Sequence, residues 1–268
     1  MKKNRVIPIL LLRNGWLVQS KGFKSYQNLG NPITSVKRLS EWASDELIYL
    51  DISSDEKYDM RRDDIKHPNR NNIFDIIEDV SKVTFMPITI GGRIRTLKDI
   101  EDRLSRGADK ISINTKPLED KKFIKEAAIE FGSQCIVVSI DVKNLDGKYF
   151  VMSEGGRKVT AYDPVEWAKI VENQGAGEIL LNSIDRDGMK NGYDIQLLNM
   201  VSEIVKIPVI ACGGVGKWEH FAEALKETHV DAIAAANIFH YTDQSVYLAK
   251  KYLYENKFNV RLPDLLMI

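Results

Sequence analysis

Three short strings in this chain have the composition of anion cradles: Asn182-Ser-Ile-Asp-Arg-Asp-Gly188, Cys212-Gly-Gly-Val-Gly216 and Ala235-Ala-Asn-Ile-Phe239. Small residues let backbone N–H groups approach a phosphate closely, and a following helix N-terminus adds a favourable dipole. One glycine turn between a strand and a helix is commonplace; these pieces in this order and spacing are specific. They nominate a phosphate site at Asp187, Gly188, Gly214, Ala236 and Asn237. A second site is expected at Gly92, Asn114 and Thr115, beside another Gly-Gly turn. Asp141, in Val138-Ser-Ile-Asp-Val-Lys143, ends an apolar run and can work as a general acid or base. A strand-end carboxylate that merely binds a loop would look the same.

The elements that must position these residues alternate regularly. Short apolar runs predict strands at 5–12, 46–52, 86–90, 109–113, 135–142, 177–183, 207–212 and 230–236. Amphipathic periods predict helices near 33–43, 72–83, 97–106, 118–131, 163–174, 194–204, 217–227 and 243–255. Runs such as Gln134-Cys-Ile-Val-Val-Ser-Ile140 are apolar throughout, as when both faces of a parallel strand are covered. A doubly wound sheet would also alternate, but eight regular units in 268 residues fit one closed (β/α)8 TIM barrel spanning 1–268 better. Pro87-Ile-Thr-Ile-Gly-Gly-Arg-Ile-Arg95 echoes Pro208-Val-Ile-Ala-Cys-Gly-Gly-Val-Gly216, which reads as two similar half-barrels. Two excursions stand out: a long charged loop at 53–71 after the second strand, and a small hairpin at 144–160 after the fifth.

Composition narrows the function classes. The chain has 38 basic and 38 acidic residues, so neither a basic nucleic-acid surface nor an acidic tail is expected. The N-terminus runs directly into a strand too short for a signal-peptide core. With no apolar run of membrane-spanning length, the expected location is the cytoplasm. Cys135 and Cys212 lie in apolar runs and are expected as buried thiols, and no C-x-x-C metal spacing occurs. Nothing in the chain calls for a cofactor.

Several strings carry a resemblance to a known family: Asp45-Glu-Leu47, Leu50-Asp-Ile52, Gly107-Ala-Asp-Lys-Ile-Ser-Ile-Asn-Thr115, Phe131-Gly-Ser-Gln-Cys135, Gly175-Ala-Gly-Glu-Ile-Leu-Leu181 and Asp185-Arg-Asp-Gly188. From about residue 5 to 262 the chain resembles the HisF family, the cyclase subunit of imidazole glycerol phosphate synthase, with a longer loop after the second strand. The resemblance implies a (β/α)8 barrel that receives ammonia from a HisH-like glutaminase. It implies an ammonia gate at Arg5, Glu46, Lys110 and Glu178, all at strand starts. Charges there would also serve simply to close the barrel bottom. Asp109 matches a residue that meets the glutaminase subunit.

The catalytic end departs from the family. Its two acid–base aspartates correspond to Leu11 and Asp141, and a leucine neither takes nor returns a proton. The family's first-loop lysine corresponds to Gln19, with Lys21 a nearby substitute; a threonine becomes Asn182, and a turn glycine becomes Arg93. Arg93 would either bind a different anion or obstruct the old substrate. No Gly-x-Cys-x-Gly elbow is present, so ammonia must come from a partner. The leading expectation is a HisF-like subunit that conducts ammonia for acetamidino-sugar formation in surface polysaccharides. Its partners would be a HisH-like glutaminase, an ATP-dependent N-acetyl-sugar amidotransferase and a phosphorylated small molecule. The alternatives are the cyclase of histidine biosynthesis, and a non-catalytic barrel that binds a phosphosugar for regulation.

Overall fold

A computed structural model describes residues 2–54, 58, 70, 72–241 and 243–265. Its strands are β1 (Arg5–Arg13), β2 (Trp16–Lys21), β3 (Ser25–Gly30), β4 (Leu47–Asp51), β5 (Ile88–Gly91), β6 (Lys110–Ile113), β7 (Ile136–Leu145), β8 (Lys148–Ser153), β9 (Lys158–Val159), β10 (Glu178–Ser183), β11 (Val209–Cys212) and β12 (Ala232–Ala235). Among the described residues, eight of these run parallel in the order β1-β4-β5-β6-β7-β10-β11-β12, and β12 pairs back onto β1. The sheet is therefore a closed barrel, ringed by helices between successive strands, in agreement with the (β/α)8 expectation.

Register decides what faces inward. Side chains alternate along each strand, so every second residue points into the lumen. Ile7, Ile9, Ile48, Val137, Leu180, Ile210, Ala232 and Ala234 form one buried cluster, with Leu11, Leu50, Cys212 and Ala236 packed on it. The intervening residues, such as Val6, Leu10, Leu47 and Tyr49, join the larger core between strands and helices. Some helix starts are capped by side chains: Thr96 and Asp99 form a reciprocal capping box, and Asp163 accepts from Val165 and Glu166 ahead of Pro164.

Three features differ from the sequence expectations. Residues 16–30 form an antiparallel hairpin, β2 on β3, that folds back from β1. The turn that starts it, Asn14-Gly15, has positive φ at both residues (51° and 76°), the requirement of a tight hairpin turn. The helix expected at 118–131 is two, Thr115–Glu119 and Lys122–Phe131, because Asp120 is extended and its side chain accepts from Lys122 N. Neither cysteine is sealed in the core: Cys135 sits in the turn Ser133–Cys135 before β7 and Cys212 at the end of β11, both half-buried. After β7 the chain turns at Leu145–Lys148 into β8, which pairs in turn with β9. Of the long loop expected at 53–71, residues 55–57, 59–69 and 71 lie outside the described residues. No helix among the described residues is long and apolar enough to cross a membrane.

The last helix, Ser245–Glu255, is clasped to the start of the barrel. Lys250 Nζ donates to Asp45 Oδ1 at 2.9 Å and to the Ala43 carbonyl at 2.8 Å, while Asp45 Oδ2 accepts from Val6 N. Both charged side chains are 3% exposed. Removing Lys250 leaves the buried Asp45 carboxylate only the exposed Arg261 guanidinium, 3.9 Å away, as a counter-charge. Lys250→Met should therefore cost about 3–5 kcal/mol in a urea titration, and the pair Lys250→Met with Asp45→Asn should recover part of it.

Candidate functional site

The N-terminal mouth of the barrel holds a closed ring of charge. Arg5 begins β1, Glu46 precedes β4, Lys110 begins β6 and Glu178 begins β10. Arg5 donates Nη1 to Glu46 at 2.6 Å and Nη2 to Glu178. Lys110 Nζ completes the ring, 3.1 Å from Glu46 Oε2 and 3.2 Å from Glu178 Oε2. Each cation touches both anions, so the ring is neutral, and its side chains are only 6–21% exposed. Burial works against the Arg5 charge, yet its contacts with Glu178 and Glu46 outweigh that and hold its pKa above the ordinary value. Asp109, just before β6, accepts from Ile88 N at 2.8 Å at the same end.

At the C-terminal mouth, Asp141 is the central titratable group. It faces the lumen from β7, and Asn182 is its register partner on β10. Asn114 Nδ2 donates to Asp141 Oδ2 at 3.1 Å and Asn182 Nδ2 to Oδ1 at 3.3 Å. Burial raises its pKa to about 6, against the opposing hydrogen bond from Asn182 and with a further push from the Asp187 charge. Asn182 Oδ1 is buried with no partner. Leu11 lies on the same luminal surface, between Val18 of β2 and Leu50 of β4, where it supplies only apolar area.

The two expected phosphate sets occupy this same rim. Gly92 (φ 111°) follows β5, and a side chain there would strike the Asp51 carbonyl. Thr115 Oγ1 donates to Asn114 Oδ1 at 3.3 Å, so Asn114 links this set directly to Asp141. On the other side, Gly188 and Gly214 both have positive φ, at 69° and 104°. Asp187 and Asn237 are engaged by the hairpin that the sequence reading did not anticipate. Ser20 Oγ donates to Asp187 Oδ2 at 2.6 Å, Phe23 N donates to the same oxygen, and Asn237 Nδ2 donates to the Ser20 carbonyl at 2.9 Å. Ala236 adjoins the luminal cluster.

The departures are also placed. Gln19, on β2, hydrogen-bonds Gln27 across the hairpin and accepts from Tyr241 Oη at 3.1 Å. Lys21 closes β2 and is exposed. Arg93 does not project freely beside the turn: its Nη2 is bonded to Asp51 Oδ2 at 2.8 Å. Sequence reasoning missed Ser20, Phe23 and Tyr241, although Asn14-Gly15 between apolar runs is a strong hairpin signal that would have placed Ser20 and Phe23; no local signal points to Tyr241.

Comparison with known proteins agrees with this architecture. The model of the family described as "Histidine biosynthesis protein" matches residues 5–245. The chain is 44% identical, over 98% of its length and all of the relative's, to a protein named imidazole glycerol phosphate synthase subunit HisF from Hydrogenobaculum sp. (strain Y04AAS1).

The raised pKa of Asp141 has a thermodynamic consequence. Between the ordinary 3.8 and about 6 the folded chain keeps a proton that the unfolded chain has released. Stability contributed at this position therefore falls as pH rises through that window, by about 3 kcal/mol in total. Asp141→Asn should remove this slope, so the variant should gain stability relative to the parent between pH 4 and pH 7 in urea titrations. A constant difference across that range would contradict the buried, raised carboxyl.

Proposed function

Because the chain belongs to the histidine biosynthesis protein family, we propose that it is the barrel subunit of a HisF–HisH-type synthase. Ammonia released by a glutaminase docked at the N-terminal mouth passes the charged ring, travels the lumen and is consumed beside Asp141 by a phosphorylated acceptor. The observation that carries this reading is the pairing of a neutral, largely buried ring of charges at one end of the lumen with the buried, raised carboxyl of Asp141 at the other. Paired charges repel no neutral molecule, and a small one can pass when the contact to one arm of Lys110 opens. The glycine turns would seat the acceptor's phosphates through backbone N–H groups, with Asn114, Thr115 and Asn237 bracing the rim around them through their own hydrogen bonds.

Two acceptors fit this frame. The relative's name favours the ribonucleotide of histidine biosynthesis, which ammonia converts to imidazole glycerol phosphate and an aminoimidazole carboxamide ribotide. Leu11 favours a different acceptor, because an acid–base pair reduced to one group can move a proton only at Asp141. In that second reading the chain supplies ammonia for acetamidino-sugar formation together with an N-acetyl-sugar amidotransferase.

A cyclase assay with the ribonucleotide and saturating ammonium salt separates them without the glutaminase. Turnover assigns the histidine pathway with Asp141 acting alone; none from folded protein leaves the sugar reading. With whichever acceptor supports turnover, Lys110→Glu should lower glutamine-driven rate at least about tenfold while sparing the ammonium-driven rate. Equal losses in both would remove the gate from the proposal.

A further inference from the structure

Arg93 is maintained against two local costs. It is an L-residue at φ 51°, in the turn whose half-barrel counterpart is Gly214. Its Nε and Nη1 are also buried without a hydrogen-bond partner. The carboxylate it meets lacks nothing. Asp51 Oδ1 accepts from Ser53 N at 3.0 Å and Ser53 Oγ at 2.5 Å, and Oδ2 accepts from Tyr58 Oη at 3.0 Å as well as Arg93. That side chain is fully buried, against 21% exposure for Arg93.

A second guanidinium stands behind the first. Arg103, 3% exposed on helix Leu97–Leu104, donates Nη1 to the Asp99 carbonyl and Nη2 to the Gly92 carbonyl, 2.8 and 3.0 Å away. Its Nε too is unpartnered. The Asp99 carboxylate is occupied by the capping box at Arg95 N and Thr96. Two guanidinium charges thus stand close together, with the saturated Asp51 carboxylate on Arg93 and the capped Asp99 carboxylate beside Arg103, and three buried N–H-bearing nitrogens have no acceptor. This deficit adjoins the Gly92 turn at the rim.

We propose that Arg93 is an anion-binding residue that takes a phosphate monoester of the acceptor at the rim between β4 and β5, with Arg103 positioning the turn that carries it. Nη2 stays on Asp51 as a pivot while Nη1 turns toward the phosphate. The guanidinium thereby adds a full positive charge where a glycine would offer only backbone N–H groups. This inference rests on the reading of a phosphorylated acceptor at the C-terminal mouth.

The test is an NMR titration of the full chain with inorganic phosphate, with sodium acetate as a second arm, following the backbone amides and the arginine Nε–H signals. The Arg93 signal is the one lost in Arg93→Lys. It should shift on adding phosphate and not at matched acetate. Arg93→Met should weaken phosphate binding at least about tenfold and Arg93→Lys less, because a lysine keeps the charge without the fork. Asp51→Asn should tighten it, since the competing carboxylate charge is gone. An unmoved Arg93 signal while the Gly188 and Gly214 amides respond would overturn the inference and leave the phosphorylated-acceptor reading standing. A shift at acetate alone would also overturn it. No response to phosphate anywhere would overturn both.

Discussion

Four charged side chains packed into one barrel mouth must satisfy one another, and that requirement organises the foot of this molecule. Arg5, Glu46, Lys110 and Glu178 each stand at or just before the start of a different strand, separated by up to 173 positions in the chain. They meet only because the sheet closes and each strand enters the lumen in the same phase. A slip of one residue in β1 would turn Arg5 outward and leave two buried glutamates facing Lys110 alone. The same slip would turn Ile7, Ile9 and Leu11 out of the lumen, so apolar packing and charge pairing specify one register together.

That register carries a position at the foot of each strand to a position at its head. On β10 the alternation that aims Glu178 at the ring aims Leu180 into the luminal core and Asn182 at Asp141. On β1 it runs from Arg5 through Ile7 and Ile9 to Leu11. Leu11 gives the upper mouth apolar surface and no charge. An apolar lumen is consistent with burial as the main cause of the raised Asp141 pKa. A carboxyl near 6 is a better one-residue shuttle at neutral pH than an ordinary one, since it can both release and recover a proton without a large penalty.

The barrel was legible in the sequence because both faces of its strands are covered. Continuous apolar runs such as 135–140 leave few alternatives once helices of regular length separate them. The candidate rim residues were legible as glycine turns and strand-end polar groups. What escaped were contacts between rim loops, since periodicity says nothing about which loops touch. The sequence nominates Asp187 and Asn237 for a phosphate site, yet both are bonded to the β2–β3 hairpin. That hairpin was hidden because Gln19, Ser20 and Lys21 break the apolar pattern of β2, leaving only the Asn14-Gly15 turn to betray it. The Arg93–Asp51 contact escaped for a related reason: Asp51 belongs to the outward face of β4, and only the folded turn brings the two together.

The departures are not spread at random over the barrel. The ring at the foot keeps its full complement of charges, while Leu11, Gln19, Arg93 and Asn182 all fall at the opposite end. Their chemistry also differs in kind. Leu11 removes an acid–base group, Asn182 leaves a buried acceptor open beside Asp141, and Arg93 brings a guanidinium to a turn shaped for glycine. A passive scaffold would have no need of an arginine in left-handed backbone with unsatisfied N–H groups. It would likewise have no reason to hold Asp141 between two carboxamides in a buried pocket. Both are costs to the folded state, and both fall at the mouth where the proposed acceptor would sit; on that reading its binding would offset them.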